Sequence, residues 1–201
     1  MSYAQQNEDL FVEQLFSVGF CGRLLELGAG HPTHLSMSRY LLEKGWSGVL
    51  VEASPRTFAG LIDAYPANPK VEIVNAAVVG SRRGLVKFSH RTKIVYSDYP
   101  ASHWSTMHPE VLPDGEWETF WVSAIFVEDL KTAFPDPFDY VSIDLEGETI
   151  GVVEPVIDAW RPKLICIEHE GRYAELREIA ERRNYDVVFQ QHVNMMLHRR
   201  E

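Results

Sequence analysis

Residues 23–55 read RLLELGAGHPTHLSMSRYLLEKGWSGVLVEASP. The stretch opens on an apolar run, Leu24 to Leu27, and breaks at Gly28-Ala29-Gly30. It then passes through a segment with helical spacing and returns to a second apolar run, Gly48 to Val51, which stops on a carboxylate, Glu52. Short apolar runs without polar alternation mark strands buried on both faces of a parallel sheet. Strand, glycine turn, helix and strand make one unit of a doubly wound α/β fold. Ligands of such sheets bind beyond the carboxyl ends of the strands, which is where Gly28, Gly30 and Glu52 fall.

The same pattern continues along the chain. Val71 to Val79, Tyr140 to Ile143 and Lys163 to Glu168 read as further strands. The spacing predicts a helix from Thr33, as N-cap, to a stop at Gly45. Ser54 caps a second helix with Pro55 at its first position. Residues 151–160 form a third, interrupted by Pro155, and Tyr173 to Asn184 a fourth, laced with opposite charges. The end, YDVVFQQHVNMMLHRR, has a polar break at Gln190 to Asn194 and reads as an antiparallel hairpin at the sheet edge. The expected fold is therefore α/β, doubly wound, with a mostly parallel sheet and an antiparallel edge strand.

Two parts break the alternation. Gly84 to Arg91 reads as an extra strand after the turn SRRG. Thr92 to Glu118 carries Pro100, Pro109 and Pro113 among histidines and aromatics. A structureless stretch of that length is a functional lid or is disordered. The expectation is one domain over 1–201 with a lid at 92–118, in which His103, Trp104 and His108 clamp a substrate or pack as a surface loop.

Composition narrows the class. The chain has 201 residues and a net charge of −10, with no Lys/Arg run longer than two. That disfavours a broad phosphate-binding surface, so no nucleic acid is expected. Two cysteines, Cys21 and Cys166, are too few for a disulfide framework. The opening MSYAQQNEDLF lacks a basic-then-apolar leader, and no apolar run approaches the ~18 residues of a membrane span. The expected place is the cytoplasm, away from membranes.

What does the turn hold? Glu52 lies 24 residues after Gly28 and can accept both hydroxyls of a ribose. The dinucleotide fingerprint G-x-G-x-x-G needs a third glycine, and here Thr33 stands in its place after Pro32. ELGAG follows instead the acidic-x-Gly-x-Gly pattern of S-adenosylmethionine sites. Glu26 at the end of the first strand would face the ammonium and sulfonium of that cofactor. The bland alternative is an ordinary strand-to-helix turn.

The remaining motifs, taken in order, resemble the FkbM-type methyltransferases over nearly the whole chain. SYAQQNEDLF is similar to the family's opening, LLELGAG with GVLVEASP to its cofactor half, and VNAAVVGSRRG to its Asn-Ala-Ala-Val turn. FVEDL, DYVSIDLEGETIGVVEP and LICIEHEG are similar to its later blocks. Asn7 stands where the family commonly has Gly, and Ser142 where Lys is frequent. The resemblance implies a class I, Rossmann-like, S-adenosyl-L-methionine-dependent methyltransferase that modifies a small-molecule hydroxyl, on a sugar or natural product. It implies cofactor contacts from Gln6, Glu26, Gly28, Ala29, Gly30, Glu52, Ala53, Asn75, Ala76 and Asp144. A nucleotide-dependent oxidoreductase is the alternative enzyme, and a catalytically silent partner subunit the alternative of another class.

Methyl transfer is an in-line displacement in which the protein aligns the reactants and removes a proton. The catalytic candidates are Asp144 and Glu146 after the fourth strand and Glu168 and His169 after the fifth. Asp144 and Glu146 could instead cap a helix, and Glu168 and His169 could be a polar strand exit. His169 has the intrinsic pKa of a general base. A divalent metal ion held by Asp144, Glu168 and His169 is the less favoured alternative. Gln5, Gln6, Glu8 and Asp9 open a helix that could cover the cofactor or merely complement the helix dipole.

Overall fold

The computed structural model describes residues 2–17, 19–94, 105–107 and 115–201. Helix α1 (Glu8–Phe16) precedes β1 (Arg23–Leu27), α2 (Arg39–Glu43), β2 (Ser47–Glu52), α3 (Pro55–Ala64) and β3 (Val71–Asn75). A smaller group follows, with β4 (Ala77–Val78), β5 (Gly84–Ile94), β6 (Ser105–Thr106) and β7 (Gly115–Ile125). The chain returns through α4 (Val127–Ala133), β8 (Tyr140–Ile143), α5 (Thr149–Trp160), β9 (Leu164–Glu168) and α6 (Tyr173–Arg183). It closes with β10 (Tyr185–Gln191) and β11 (Asn194–Arg199).

The main sheet runs β10-β11-β9-β8-β1-β2-β3. Its five central and far strands pair in parallel, while β10 and β11 form the antiparallel edge. The unbroken apolar runs follow from burial on both faces, since Leu24, Leu25, Leu27, Val49, Leu50, Val141 and Ile143 have no exposed surface. Alternate residues serve different layers. Leu25, Leu27, Val141, Ile143, Ile165 and Ile167 pack with α4, α5 and α6. Leu24, Leu50, Tyr140, Leu164 and Cys166 pack with α1, α2 and α3. Glu26, Asp144 and Glu168 share the second parity, so all three belong to the α1 side at the carboxyl ends of adjacent strands.

Local chemistry sets the helix boundaries. The Ser54 side chain accepts the Thr57 amide and Pro55 sits at the first position of α3. α6 ends on Asn184 in the left-handed conformation (φ 64°), with Arg182 and Arg183 in its last turn. Arg183 reaches Glu154 and Asp158, tying α6 to α5. Pro155 lies inside α5 and offers no amide to the Gly151 carbonyl four residues earlier. That carbonyl faces Gly80, where a Cβ would come within 2.8 Å of it.

The structure differs from the sequence reading in four places. Val71 to Val79 is two strands in two sheets. The break falls at Ala76, whose amide turns to the Glu52 carbonyl. The Thr33-capped helix shortens to α2. His31 Nδ1 takes the Thr33 and His34 amides and Glu26 takes that of Met37, so residues 31–38 form a loop with Leu35 at φ +56°. The extra strand is part of a four-stranded sheet, β4-β7-β5-β6, whose β7 and the following α4 the alternation did not reveal. Finally, both ends of the expected lid are strand, since Thr92 to Ile94 belong to β5 and Gly115 to Glu118 to β7. His103, Trp104 and His108 lie outside the described residues.

Candidate active site

A cleft opens at the carboxyl ends of β1, β2 and β8, holding about 850 Å³ of empty space including its mouth. That is the size of a nucleoside-sized ligand site. Its floor is the glycine turn. Gly28 has φ +81°, and a Cβ there would lie 1.8 Å from the Asp144 carbonyl oxygen, so only glycine allows β1 to pass β8 this closely. The Gly28 and Ala29 amides both bond the Val51 carbonyl, at 2.9 and 3.0 Å. The Gly30 amide turns instead to the Glu52 carboxylate, 2.9 Å to Oε2.

Glu52 is held from both sides. Its Oε1 accepts the Ser54 amide at 2.7 Å, and Asn75 Nδ2 bonds its carbonyl at 2.8 Å. Each carboxylate oxygen keeps a lone pair for the cleft that it lines. Burial raises its pKa to about 7, against the amides that favour the charge. Glu26 lies behind the turn. It accepts the Met37 amide at 3.1 Å, and burial raises its pKa to about 8.

The acid groups gather at the other end of the cleft. Oxygens of Asp144, Glu146 and Glu168 all lie within 4.8 Å of one another. Asp144 keeps surface open to the cleft while the protein packed around it raises its pKa, chiefly through desolvation. Burial and then the Asp144 charge raise Glu146 to about 8. The Asp144 charge, then burial, push Glu168 well above the carboxylate range. Two carboxyls this close hold one proton between them near neutral pH, and Glu168 is the member that keeps it. The loop is pinned on three sides. The Thr106 hydroxyl donates to the Glu146 carbonyl at 2.8 Å, Gly147 N donates to Glu170 at 2.7 Å, and Gly80 N donates to Glu148 at 3.0 Å. Glu146 itself is left-handed, with φ +44°.

Of the residues that sequence reasoning singled out, Gly28, Ala29, Gly30, Glu52, Ala53, Ala76, Asp144 and Glu146 line the cleft. Glu26 and Asn75 support it from behind. Gln6 gives its amide to Glu8, and Glu8 accepts from Asn194 at 2.6 Å, which pairs with Glu168 across β11 and β9. The N-terminal arm is thereby fastened over the end of β9. His169 stands apart from the carboxylates. Its Nδ1 accepts the Gly171 amide and its ring packs on Tyr173 of α6, 3.9 Å between centroids. The set able to share an ion is thus Asp144, Glu146 and Glu168, rather than one including His169. Sequence reasoning missed the wall given by the second sheet, Phe88 and Met107, and the rim residues His31 and His34. The turn that carries His31 was visible in sequence, whereas nothing local marks Phe88 or Met107 as facing it.

No protein-family model and no curated protein matches the chain. Solved structures do. A methyltransferase FkbM from Methylobacillus flagellatus KT aligns at TM-score 0.57 and 11% identity, over 89% of this chain and 43% of its own. An rRNA methylase from Streptococcus thermophilus aligns at 0.52 and 10%, over 96% and 94%. A fibrillarin pre-rRNA processing protein from Methanococcus jannaschii aligns at 0.50 and 13%, over 89% and 66%. This is the class I methyltransferase fold. Identities this low speak for the fold alone, and the chain spans less than half of the FkbM protein. Among the described residues no helix is long and apolar enough to cross a membrane.

Proposed function

We propose that the protein is an S-adenosylmethionine-dependent methyltransferase of FkbM type that methylates a hydroxyl of a small molecule, a sugar or natural product. One observation carries the reading. Glu52 ends β2 with both oxygens steadied by amides and facing the cleft, beside a turn with two left-handed glycines and no third glycine. That arrangement suits ribose hydroxyls and lacks the third glycine of the dinucleotide fingerprint. Ala53, Ala76, Ala77 and Phe88 offer an apolar slot for a base.

The bound cofactor would supply an activated methyl carbon. The residues supply alignment and the proton acceptor. The ionised member of the Asp144–Glu168 pair takes the acceptor's hydroxyl proton, and Glu146, its pKa raised to about 8, stays largely protonated beside it. Three carboxylates at this spacing also suit a hard divalent cation. The shared proton is the version proposed.

Calorimetry tests the cofactor, with S-adenosylhomocysteine expected to bind and NAD not. A cofactor-consumption screen against sugars and glycosylated metabolites tests the acceptor. It includes an RNA oligonucleotide, because the similar structures include an rRNA methylase and a pre-rRNA processing protein, although the net charge of −10 disfavours that acceptor. Binding of NAD in preference to S-adenosylhomocysteine would reject the reading.

A further inference from the structure

His90 belongs to β5, in the second sheet, and only 5% of its surface is exposed. Its Nδ1 lies 3.0 Å from the Ser54 hydroxyl, with either group able to donate. Ser54 is wholly buried and is the residue whose amide bonds Glu52 Oε1 at 2.7 Å. Glu52 Oε2 in turn accepts the Gly30 amide. Four residues from three parts of the chain therefore form one line, His90 to Ser54 to Glu52 to Gly30, running from the second sheet to the glycine turn.

We propose that His90 is a positioning residue for the cofactor carboxylate. It holds Ser54, and through the Ser54 amide it fixes the rotamer in which Glu52 presents its remaining lone pairs to ribose hydroxyls. The inference rests on reading the cleft as an S-adenosylmethionine site.

Ser54 needs a second tether. Its hydroxyl caps α3, but the Thr57 amide stands 3.4 Å away, a long bond. The backbone of Ser54 is also the point where β2 ends and α3 begins, so its amide direction depends on how firmly the side chain is anchored. Outside, the Arg56–Glu118 ion pair joins α3 to β7 with two contacts of 2.6 and 2.9 Å. That pair is exposed to solvent and contributes little. The buried His90–Ser54 bond is the inner clasp between α3 and the same sheet. A carboxylate pinned before its ligand arrives loses less freedom on binding, so the clasp raises cofactor affinity without touching the cofactor.

The alternative is that His90 merely fills space between the sheets. Replacement by amides separates the two. Asparagine places an amide where Nδ1 stands, and glutamine places it where Nε2 stands. With S-adenosylhomocysteine as probe, His90→Leu is expected to weaken binding about tenfold, the effect of one buried hydrogen bond. His90→Asn should bind within about threefold of the wild type, by the same measure. His90→Gln should resemble His90→Leu. In a Glu52→Ala background, His90→Leu should add nothing further, because both changes act on one group. Binding by the wild type with His90→Leu unchanged would overturn the inference alone. So would equal losses for the asparagine and glutamine variants, or a full tenfold loss persisting without Glu52. Failure of the wild type to bind S-adenosylhomocysteine would overturn the cofactor reading and this inference with it. Thermal melts of each variant confirm that binding is measured on folded protein, and His90→Asn carries the test should the leucine variant not fold.

Discussion

Adding one methyl group to Gly28 is expected to damage the fold far more than adding one to Gly30, two residues away. Both glycines have positive φ, +81° and +58°. An alanine at either position must enter the left-handed region, at about 1–2 kcal/mol. The difference lies in what the new carbon meets. At Gly30 nothing stands within 4 Å, whereas at Gly28 the Asp144 carbonyl oxygen would be 1.8 Å away. That oxygen is backbone, and the Asp144 amide is bonded to the Leu27 carbonyl at 2.9 Å, so it cannot swing aside. Relief requires β1 and β8 to separate, an overpacking cost of about 1–3 kcal/mol. Gly28→Ala should therefore lose about 2–5 kcal/mol in all, and Gly30→Ala about 1–2 kcal/mol. At roughly 2–4 °C per kcal/mol for a domain of this length, central values are a drop near 10 °C for the first and near 4 °C for the second. Circular dichroism melts read both numbers. Calorimetry with S-adenosylhomocysteine should also show weaker binding by Gly28→Ala, since the Ala29 and Gly30 amides move with the turn. Equal drops for the two variants would refute the close approach of β1 to β8.

Three further outcomes follow from the carboxylates. Burial holds Glu26 at about 8 when folded, against an unfolded value near 4.3, so the folded state keeps an extra proton between those limits. Its contribution is full below about 4.3, falls steadily as pH rises and is gone above about 8, which makes the protein melt higher at pH 5.5 than at 8.5; Glu26→Gln should shrink that difference, and an unchanged difference would show that Glu26 is not its source. With an acceptor in hand, Asp144→Asn should lower turnover by roughly 10²–10⁴-fold, and Glu168→Gln, which keeps a neutral donor in place, by far less, while S-adenosylhomocysteine affinity changes little in both. Glu168→Gln should also leave the acid limb of the pH–rate profile close to its wild-type place, because the amide keeps a neutral donor beside Asp144; a limb that moves downward would show that Glu168 carries charge there.

Much of the fold is legible in the sequence because its strands are short, apolar and bounded by turn residues. Tyr140 to Ile143 has the bounds that the sequence suggests, and Ser54-Pro55 starts α3 as expected. The differences have a common cause. At Ala76 the amide still makes a ladder rung to the Glu52 carbonyl, and the next two residues pair with β7 instead, so no turn residue marks where the chain passes from one sheet to the other. In residues 31–38 the periodicity favours a helix, yet Glu26 takes the Met37 amide, the first that a Thr33-capped helix would bond within itself, and His31 Nδ1 takes those of Thr33 and His34. The second sheet escapes a sequence reading because the prolines and aromatics of residues 92–118 resemble a loop, while β5 and β7 are held by each other across ten paired positions. Long-range pairing of that kind leaves little local trace.

The site is legible as a set of strand ends and less so as a geometry. Asp144 and Glu168 each follow or end a strand, and that alone makes both of them candidates. Register makes them neighbours, since Ile143 pairs with Ile167 and the next residues stand side by side. Parity puts them on the α1 side with Leu164 and Cys166. The same parity separates His169 from Glu168, because successive side chains along a strand point to opposite faces. His169 continues the ladder through its amide bond to Val193 and lays its ring on Tyr173, on the α6 side. A period of two, counted along Leu164 to His169, is enough to part this adjacent pair. It is also why the proposed mechanism gives the acceptor's proton to the carboxylates. A base must reach the proton it takes, within about 2.6–3.2 Å or through one water. The imidazole faces α6, whereas Asp144 lines the cleft with Glu168 within 4.8 Å of it.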